Sequence, residues 1–226
     1  MKKILVVSCT RQPKQHKQGL LIYQSLVGLQ CDVKLEIIYE NKESLPVVYN
    51  KYITEKNNKK HDIVLFVHDD VYIDDLKLKG KLYGAIKQFD IVGLAGTLYP
   101  RIQAPVLWHK MADRKHWRGI VNHPYDNDVN VIQSTNFGPT PSRVAIMDGL
   151  FMAVSLKKAL QSGWKFNENF SYHHYDISSC LDANVKMLKL GVVPVNVIHQ
   201  SPGLTNYKDD DFQKSQNKFL EIYTGH

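Results

Sequence analysis

Short apolar runs alternate with amphipathic stretches along the first half of the chain, and this alternation restricts the folds open to it. The apolar runs fall at 4–7, 33–39, 63–67 and 91–95, and the segments between them carry apolar residues at helical spacing. A repeated strand–helix order predicts an α/β fold with a mostly parallel central sheet flanked by helices. The run at 63–67 is apolar at every position, which is typical of a strand buried on both faces.

The pattern breaks at residues 97–142, which contain five prolines and no clean period. We expect a long functional loop there, inside a single domain that spans 1–205. Regularity returns with a helix over 176–190 that Gly191 ends and with a last strand over 192–198, placed at or near a sheet edge by Pro194. The tail at 206–226 is polar and has only a weak helical pattern.

Composition excludes several classes of protein. The chain has 226 residues, of which 43% are hydrophobic, and its mean hydropathy is −0.31. Its unbroken apolar runs are too short to cross a bilayer, and Met1 leads directly into a first strand rather than into a signal peptide. The cysteines at 9, 31 and 180 are odd in number and widely spaced, which argues against a disulfide framework. We therefore expect a cytoplasmic protein without a membrane span.

The net charge is basic but dispersed. Lys and Arg number 29 against 22 for Asp and Glu, so 29 − 22 gives +7 with neutral histidines. Such a surface attracts nucleic acid or a small molecule that carries phosphate. Because the basic residues are scattered and no recognition motif occurs, we expect no nucleic-acid partner.

The sharpest chemical feature follows the buried strand, where the run 66–71 contains His68, Asp69 and Asp70. Ligands of open parallel sheets bind beyond the carboxyl ends of the strands. Adjacent carboxylates repel each other, and a bound cation allows both to stay ionised. Carboxylate oxygens suit Mg²⁺ or Mn²⁺, and an imidazole favours Mn²⁺. A pair of aspartates that cap a helix explains the same residues equally well.

A histidine ends the last predicted strand. His199 is followed by a Ser-Pro-Gly turn, and the ends of parallel strands face one rim, so His199 is expected to reach an ion held by Asp70. The alternative is a histidine with a purely structural role.

A cluster of polar and aromatic residues precedes the helix predicted from residue 176. Asp176, with His173 and His174 beside it, is a candidate general base tuned by its neighbours. A carboxylate in a first helical turn can equally be a partner of the helix dipole. The two adjacent histidines diverge by about 100° on a helix and do not easily chelate one ion.

Further candidate binding residues lie at 148–149 and in the segment 97–142. Asp148 could accept hydrogen bonds from substrate hydroxyls, and Gly149 allows a close backbone approach, although an ordinary turn accounts for both. Trp108 and Trp117, in the predicted loop, could stack on sugar rings or simply anchor the loop.

Nucleotide-binding candidates follow the first two strands. Ser8, Thr10 and Arg11 end strand one, where small polar groups and a guanidinium could hold a base or a phosphate, and Asn41 follows strand two. No Gly-x-Gly-x-x-Gly follows strand one, and no phosphate-binding loop of the Walker type occurs. Dinucleotide-binding and ATP-binding folds are therefore disfavoured.

Taken in order, these elements resemble the nucleotide-sugar glycosyltransferases of the GT-A fold, specifically the family 2-like group. The resemblance runs from Val6 to about Gly203, and no single match is specific, whereas the ordered set is considerably more so. The matching stretches are 6–11, 41–50, 67–71, 147–151, 166–177 and 197–203.

The resemblance implies roles for particular residues. Asp70 matches the metal-binding Asp that ends the family's Asp-x-Asp motif, with His68 at its first position and Asp69 near the nucleotide. His199 matches the strand-end histidine that completes the metal site in many members. Asp148 and Gly149 match the acceptor-side segment.

The resemblance also implies a reaction. The expected activity is a metal-dependent, inverting transfer of a sugar from a nucleoside-diphosphate sugar, with UDP as the nucleotide, to an acceptor hydroxyl. Asp176 would take the proton, with His174 as second choice, and the segment 97–142 would cover donor and acceptor. Because His68 and the pair 173–174 replace family carboxylates, a non-catalytic nucleotide-sugar or glycan-binding domain stays open as the alternative.

Overall fold

The computed structural model describes residues 2–29, 32–105, 107–125, 128–201 and 209–225. Cys31 and the turn expected after Ser201 lie outside these residues. The strands are β1 (Ile4–Cys9), β2 (Val33–Ile38), β3 (Ile63–Val67), β4 (Val71–Ile73), β5 (Ile91–Gly93), β6 (Ala95–Thr97), β7 (Trp117–Tyr125), β8 (Asp128–Gly138), β9 (Ser142–Arg143), β10 (Ile146–Met147), β11 (Phe151–Ser155), β12 (Leu190–Val192) and β13 (Val197–His199). The α-helices are α1 (Leu21–Gly28), α2 (Leu45–Asn50), α3 (Glu55–Lys60), α4 (Leu78–Ala85), α5 (Leu156–Ser162), α6 (Tyr175–Val185) and α7 (Asp210–Thr224).

The central sheet has seven strands in the order β2-β1-β3-β11-β5-β12-β9. Five of them are parallel to one another, while β11 and β9 run antiparallel to their neighbours. The predicted α/β fold with a mostly parallel central sheet is therefore confirmed. All five residues of β3 are buried, as the uninterrupted apolar run predicted. Removing such side chains from water contributes about 1.5–3 kcal/mol each.

A second sheet takes two strands, β7 and β8, from the region where a long loop was expected. Its order is β10-β6-β7-β13-β4, and β8 pairs with β7 to form an extended hairpin. The expectation of an irregular segment over 97–142 is therefore wrong from residue 117 onward. Most positions of β7 are partly buried rather than alternately buried and exposed, so the sequence carries little of the period-two signal by which strands are recognised.

The last predicted strand is in fact two strands that belong to different sheets. β12 joins the central sheet and β13 joins the second sheet, with Pro194 in the link between them. Proline has no amide hydrogen to donate to a ladder, so it marks the break rather than a sheet edge.

Gly191 lies within β12, where an added Cβ would come 2.5 Å from the ring of Phe89. It does not end the preceding helix, because α6 stops at Val185.

The C-terminal segment forms a packed helix rather than a loose tail. α7 is 15 residues long and buries Phe212 and Phe219. The hydroxyl of Tyr223 donates to Asp182 on α6 at 2.7 Å, so α7 is held against the helix that carries the candidate base. None of the helices among the described residues is long and apolar enough to span a membrane.

A buried asparagine ties α2 to the segment that leads toward the site. The side chain of Asn50 accepts from the amide of Phe166 at 2.8 Å and donates to its carbonyl at 2.9 Å. It also donates to Glu168 at 2.8 Å. Truncating this side chain would leave both main-chain groups of Phe166 buried without partners.

We expect Asn50→Ala to lower the free energy of unfolding by about 2–3 kcal/mol, because unsatisfied buried polar groups cost this much. Urea denaturation measures the effect. Asn169→Ala is the matched control, since Asn169 is exposed, and it should change stability by less than about 0.5 kcal/mol. Equal effects of the two substitutions would contradict the bridging role.

Candidate active site

Two clefts meet at the turn between β3 and β4. The first cleft has a volume of about 320 Å³ and is lined by Trp108, Asp148 and Asp176 among others. The second has a volume of about 880 Å³ and lies beside the ends of β1 and β2. Tyr172 lines both, so the two clefts share a wall.

Three side chains converge at this turn. His68, Asp70 and His199 each offer a potential metal-ligand atom within 4.8 Å of the other two. Among the described residues, no other group of three or more His, Cys, Asp or Glu residues could hold a metal ion in this way. Nε2 of His199 lies 3.4 Å from Oδ1 of Asp70. That oxygen is buried and has no hydrogen-bond partner among the described residues. Two imidazoles and a carboxylate together can bind a first-row divalent ion, Mn²⁺ among them, so these residues fit a metal site.

Asp70 and His199 each stabilise the charged form of the other. Burial works against the ionised form of Asp70, but the neighbouring His199 holds the pKa of this carboxyl below its usual value. Burial likewise opposes the charged form of His199, and Asp70 nevertheless raises the pKa of the imidazole. Each group therefore favours the charged form of the other, and a metal ion bound here would displace the proton of the imidazolium form.

The route that brings His199 to Asp70 differs from the one expected. His199 does not end a strand of the central sheet; it ends β13 of the second sheet, opposite Val71 at the start of antiparallel β4. The amide of Gln200 donates to the carbonyl of Asp70 at 3.0 Å. A local antiparallel ladder, rather than the common rim of a parallel sheet, places the two side chains together.

A tyrosine that the sequence reasoning gave no role orients His68. Nε2 of His68 lies 3.0 Å from the hydroxyl of Tyr175, and that hydroxyl donates to the carbonyl of Gly149 at 3.0 Å. Because the phenol hydrogen is used on Gly149, Nε2 of His68 must supply the other hydrogen. Nδ1 then keeps its lone pair, as a metal ligand requires. Tyr175 lies directly before Asp176, and the resembling motif contains it.

Asp176 occupies the first turn of α6 and faces the first cleft. Its carboxylate accepts from the amides of Gly149 at 2.9 Å and Ile177 at 2.8 Å. Burial, and then the nearby charge of Asp148, raise the pKa of Asp176 to about 7. A carboxyl with this pKa can exchange a proton near neutral pH, which a general base requires.

Gly149 packs closely against two residues of α6. A Cβ at this position would lie 2.7 Å from Cζ of Tyr175 and 3.0 Å from Cβ of Asp176. The missing side chain therefore leaves room for these two residues, and Gly149 also lines the first cleft. Its amide and its carbonyl each hold one of them.

Asp148 and Trp108 form one unit of the first cleft. The indole Nε1 of Trp108 donates to Asp148 at 2.9 Å, and the amide of Leu150 donates to the other carboxylate oxygen at 2.9 Å. Trp108 is only 4% exposed and packs edge-on against Phe137, with ring centroids 4.9 Å apart. Its ring face is thus unavailable for stacking, and its visible contribution is to orient Asp148.

His174 is placed to hold α7 rather than to take a proton. It adopts a left-handed backbone with φ 60°, is 4% exposed and packs against the rings of Phe212 and Phe219. Its Nδ1 lies 2.8 Å from Oγ of Ser215. Burial lowers the pKa of His174 to about 4, so it is a weak base, and the geometry favours Asp176.

Four of the five nucleotide-binding candidates line the second cleft, namely Thr10, Arg11, Asn41 and Asp69. Ser8 lies below the surface, 0% exposed, and does not line it. The side chain of Asn41 closes a turn by accepting from the amide of Glu43 and donating to its carbonyl.

The comparisons with known proteins agree with this architecture. The model of a family described as a glycosyltransferase-like family matches residues 5–223. No curated protein matches the chain by sequence.

Three solved structures share the fold at low identity. The protein A197 from STIV aligns with a TM-score of 0.52 at 10% identity, over 92% of this chain and 99% of that one. A mannosyltransferase, PcManGT from Pyrobaculum calidifontis, was solved with GDP-Man and Mn²⁺. It aligns with a TM-score of 0.55 at 8% identity, over 100% of this chain. GalNAc-T7, solved with UDP, GalNAc and Mn²⁺, aligns with a TM-score of 0.54 at 11% identity, also over 100% of this chain.

The chain spans 65% of the PcManGT chain and 49% of the GalNAc-T7 chain. At these identities the likeness establishes the fold, GT-A, and leaves the substrates to be argued from the site.

Asp148 is the charged neighbour that raises the pKa of Asp176, so we expect Asp148→Asn to lower this pKa toward the usual carboxyl range. NMR titration of ¹³C-labelled Asp carboxyls measures it. Asp113→Asn removes an exposed carboxylate elsewhere and should leave the pKa of Asp176 unchanged. An unshifted titration in Asp148→Asn would show that burial alone sets the pKa.

Proposed function

The chain belongs to this glycosyltransferase-like family, and we propose that it moves a hexose or related sugar from a nucleoside-diphosphate sugar to an acceptor hydroxyl. The single observation that carries the proposal is the carboxylate of Asp70, whose buried Oδ1 lies 3.4 Å from Nε2 of His199 and which stands with His68 and His199 at the junction of two clefts. A donor on one side and an acceptor on the other would meet at that point.

The metal is proposed to be Mn²⁺, with Mg²⁺ as the alternative, held by Asp70, His199 and Nδ1 of His68. Two structures with this fold were solved with Mn²⁺ and with GDP-Man or UDP, which supports a nucleotide-sugar donor. A divalent ion bound there would neutralise the charge that develops on the departing diphosphate. We propose UDP as the nucleotide, with Thr10, Arg11, Asn41 and Asp69 of the second cleft around it.

On the acceptor side, Asp176 would take the proton from the attacking hydroxyl. Asp148, fixed by Trp108 and by the amide of Leu150, would hold and orient that hydroxyl. One displacement assisted by one base inverts the anomeric carbon. Trp108, Val121 and Phe137 come from the segment 97–142 and line the first cleft, so this segment would cover the acceptor and restrict water.

We expect UDP to bind at least tenfold more tightly with Mn²⁺ than without it, and Asp70→Ala to remove this enhancement because the ion loses its carboxylate ligand. Isothermal titration calorimetry measures both, with GDP as the comparator nucleotide. Asp74→Ala is the matched control, since Asp74 follows β4 away from the three ligands. If the unsubstituted protein binds UDP with the same affinity with and without Mn²⁺, the proposal is overturned.

Transfer, or slow donor hydrolysis, should rise with pH. Below the pKa of Asp176, about 7, the base is protonated, so kcat/KM should fall about tenfold per pH unit. Above it the rate should level off, and Asp148→Asn should move the inflection to lower pH. Asp176→Asn should bind UDP normally and lose turnover.

Two outcomes would contradict the assignment of the base: full activity in Asp176→Asn, or a rate independent of pH between 5 and 8. Metal-dependent UDP binding without hydrolysis or transfer at any pH would favour a non-catalytic nucleotide-sugar-binding domain.

A further inference from the structure

The two clefts differ in charge. Among the described residues, no lysine or arginine lines the first cleft, in a chain that has 29 of them. Apart from histidines, its charged lining residues are Asp148 and Asp176. The second cleft is lined by Arg11 and Lys42 as well as by carboxylates. Only the second cleft offers fixed cations to an anionic ligand.

Of the histidines that line the first cleft, His199 has a raised pKa, and the carboxylate of Asp70, 3.4 Å away, balances its charge. Burial lowers the pKa of His109 and of His173, which favours the neutral form of both imidazoles. The ring of His123 uses Nδ1 on the carbonyl of His199, 3.2 Å away. These rings offer hydrogen bonds to hydroxyl groups without adding positive charge.

Apolar surface completes the first cleft. Phe137 is partly exposed, and Tyr172 is 58% exposed and stacks near His68. Ligand sites run from roughly 300 to 1,000 Å³, so a cleft of about 320 Å³ is at the lower end and suits a single ring. Aromatic walls can cover the C–H face of a sugar while carboxylates and imidazoles meet its hydroxyls.

From this distribution of charge we infer that the first cleft takes an uncharged acceptor, a neutral glycoside, and rejects acceptors that carry phosphate or carboxylate. The inference rests on the proposed function, because it names the acceptor class of that same site. An anionic group would lose hydration on entry, face two carboxylates and find no lysine or arginine among the described lining residues.

Ligand-observed saturation-transfer NMR on the full chain with UDP and diamagnetic Mg²⁺ tests the inference. The probes are phenyl β-glucoside, its 6-phosphate and phenyl β-glucuronide, which share a ring and differ in charge. We expect the neutral glycoside to bind at least tenfold more tightly than either anion. Equal or tighter binding of an anion, or no binding of the neutral glycoside, overturns the inference.

Variants that add a cation sharpen the test. Phe137→Lys and His109→Lys, on separate segments of the cleft wall, should each reduce the preference for the neutral probe at least tenfold. Val27→Lys adds the same charge at an exposed site outside the cleft and should leave the preference unchanged. An equal loss of preference in Val27→Lys would mean that overall charge, not the cleft, decides.

Calorimetry with UDP on the same samples separates the two hypotheses. Metal-enhanced UDP binding together with a preference for an anionic probe overturns the acceptor inference and leaves the proposed function standing. Neutral-glycoside preference without any UDP binding overturns the proposed function, and the cleft then remains a site for neutral sugars.

Discussion

The turn of three residues between β3 and β4 joins the two sheets, and the site depends on this junction. The amide of His68 still donates to Leu150 beside the central sheet, at 3.0 Å, while the carbonyl of Asp70 already accepts from Gln200 beside the second sheet, at 3.0 Å. Both ends of the turn are therefore held by main-chain bonds to different sheets. The side chains of this turn therefore have little freedom. The fold, rather than a bound metal ion, sets the positions of the potential metal ligands His68 and Asp70.

A second network links the acid–base group to the same turn. The main chain of Gly149 holds Asp176 through its amide and Tyr175 through its carbonyl, and Tyr175 in turn contacts His68. One glycine thus connects the candidate base with a candidate metal ligand. Since an added Cβ would clash with both side chains, substitution there would disturb binding and proton transfer together.

The sequence predicted the parts of the structure that local pattern determines. Buried β3 followed directly from its unbroken apolar run, and the closeness of Asp70 and His199 was predicted correctly although the assumed geometry was wrong. The β7–β8 hairpin was missed because partial burial erases the alternation that marks a strand. The role of His174 depends on α7, which is distant in the chain, so no local pattern could reveal it.

The hydroxyl of Ser215 on α7 contacts both residues that precede α6, donating to the carbonyl of His173 at 2.9 Å and meeting Nδ1 of His174 at 2.8 Å. α7 therefore holds the two residues that lead into the helix of Asp176. Proteolysis or truncation that removes α7 would uncover His174 and let water reach the start of α6. The surroundings that keep Asp176 a weak acid would then contain more water. Loss of this distant helix would therefore first change proton transfer.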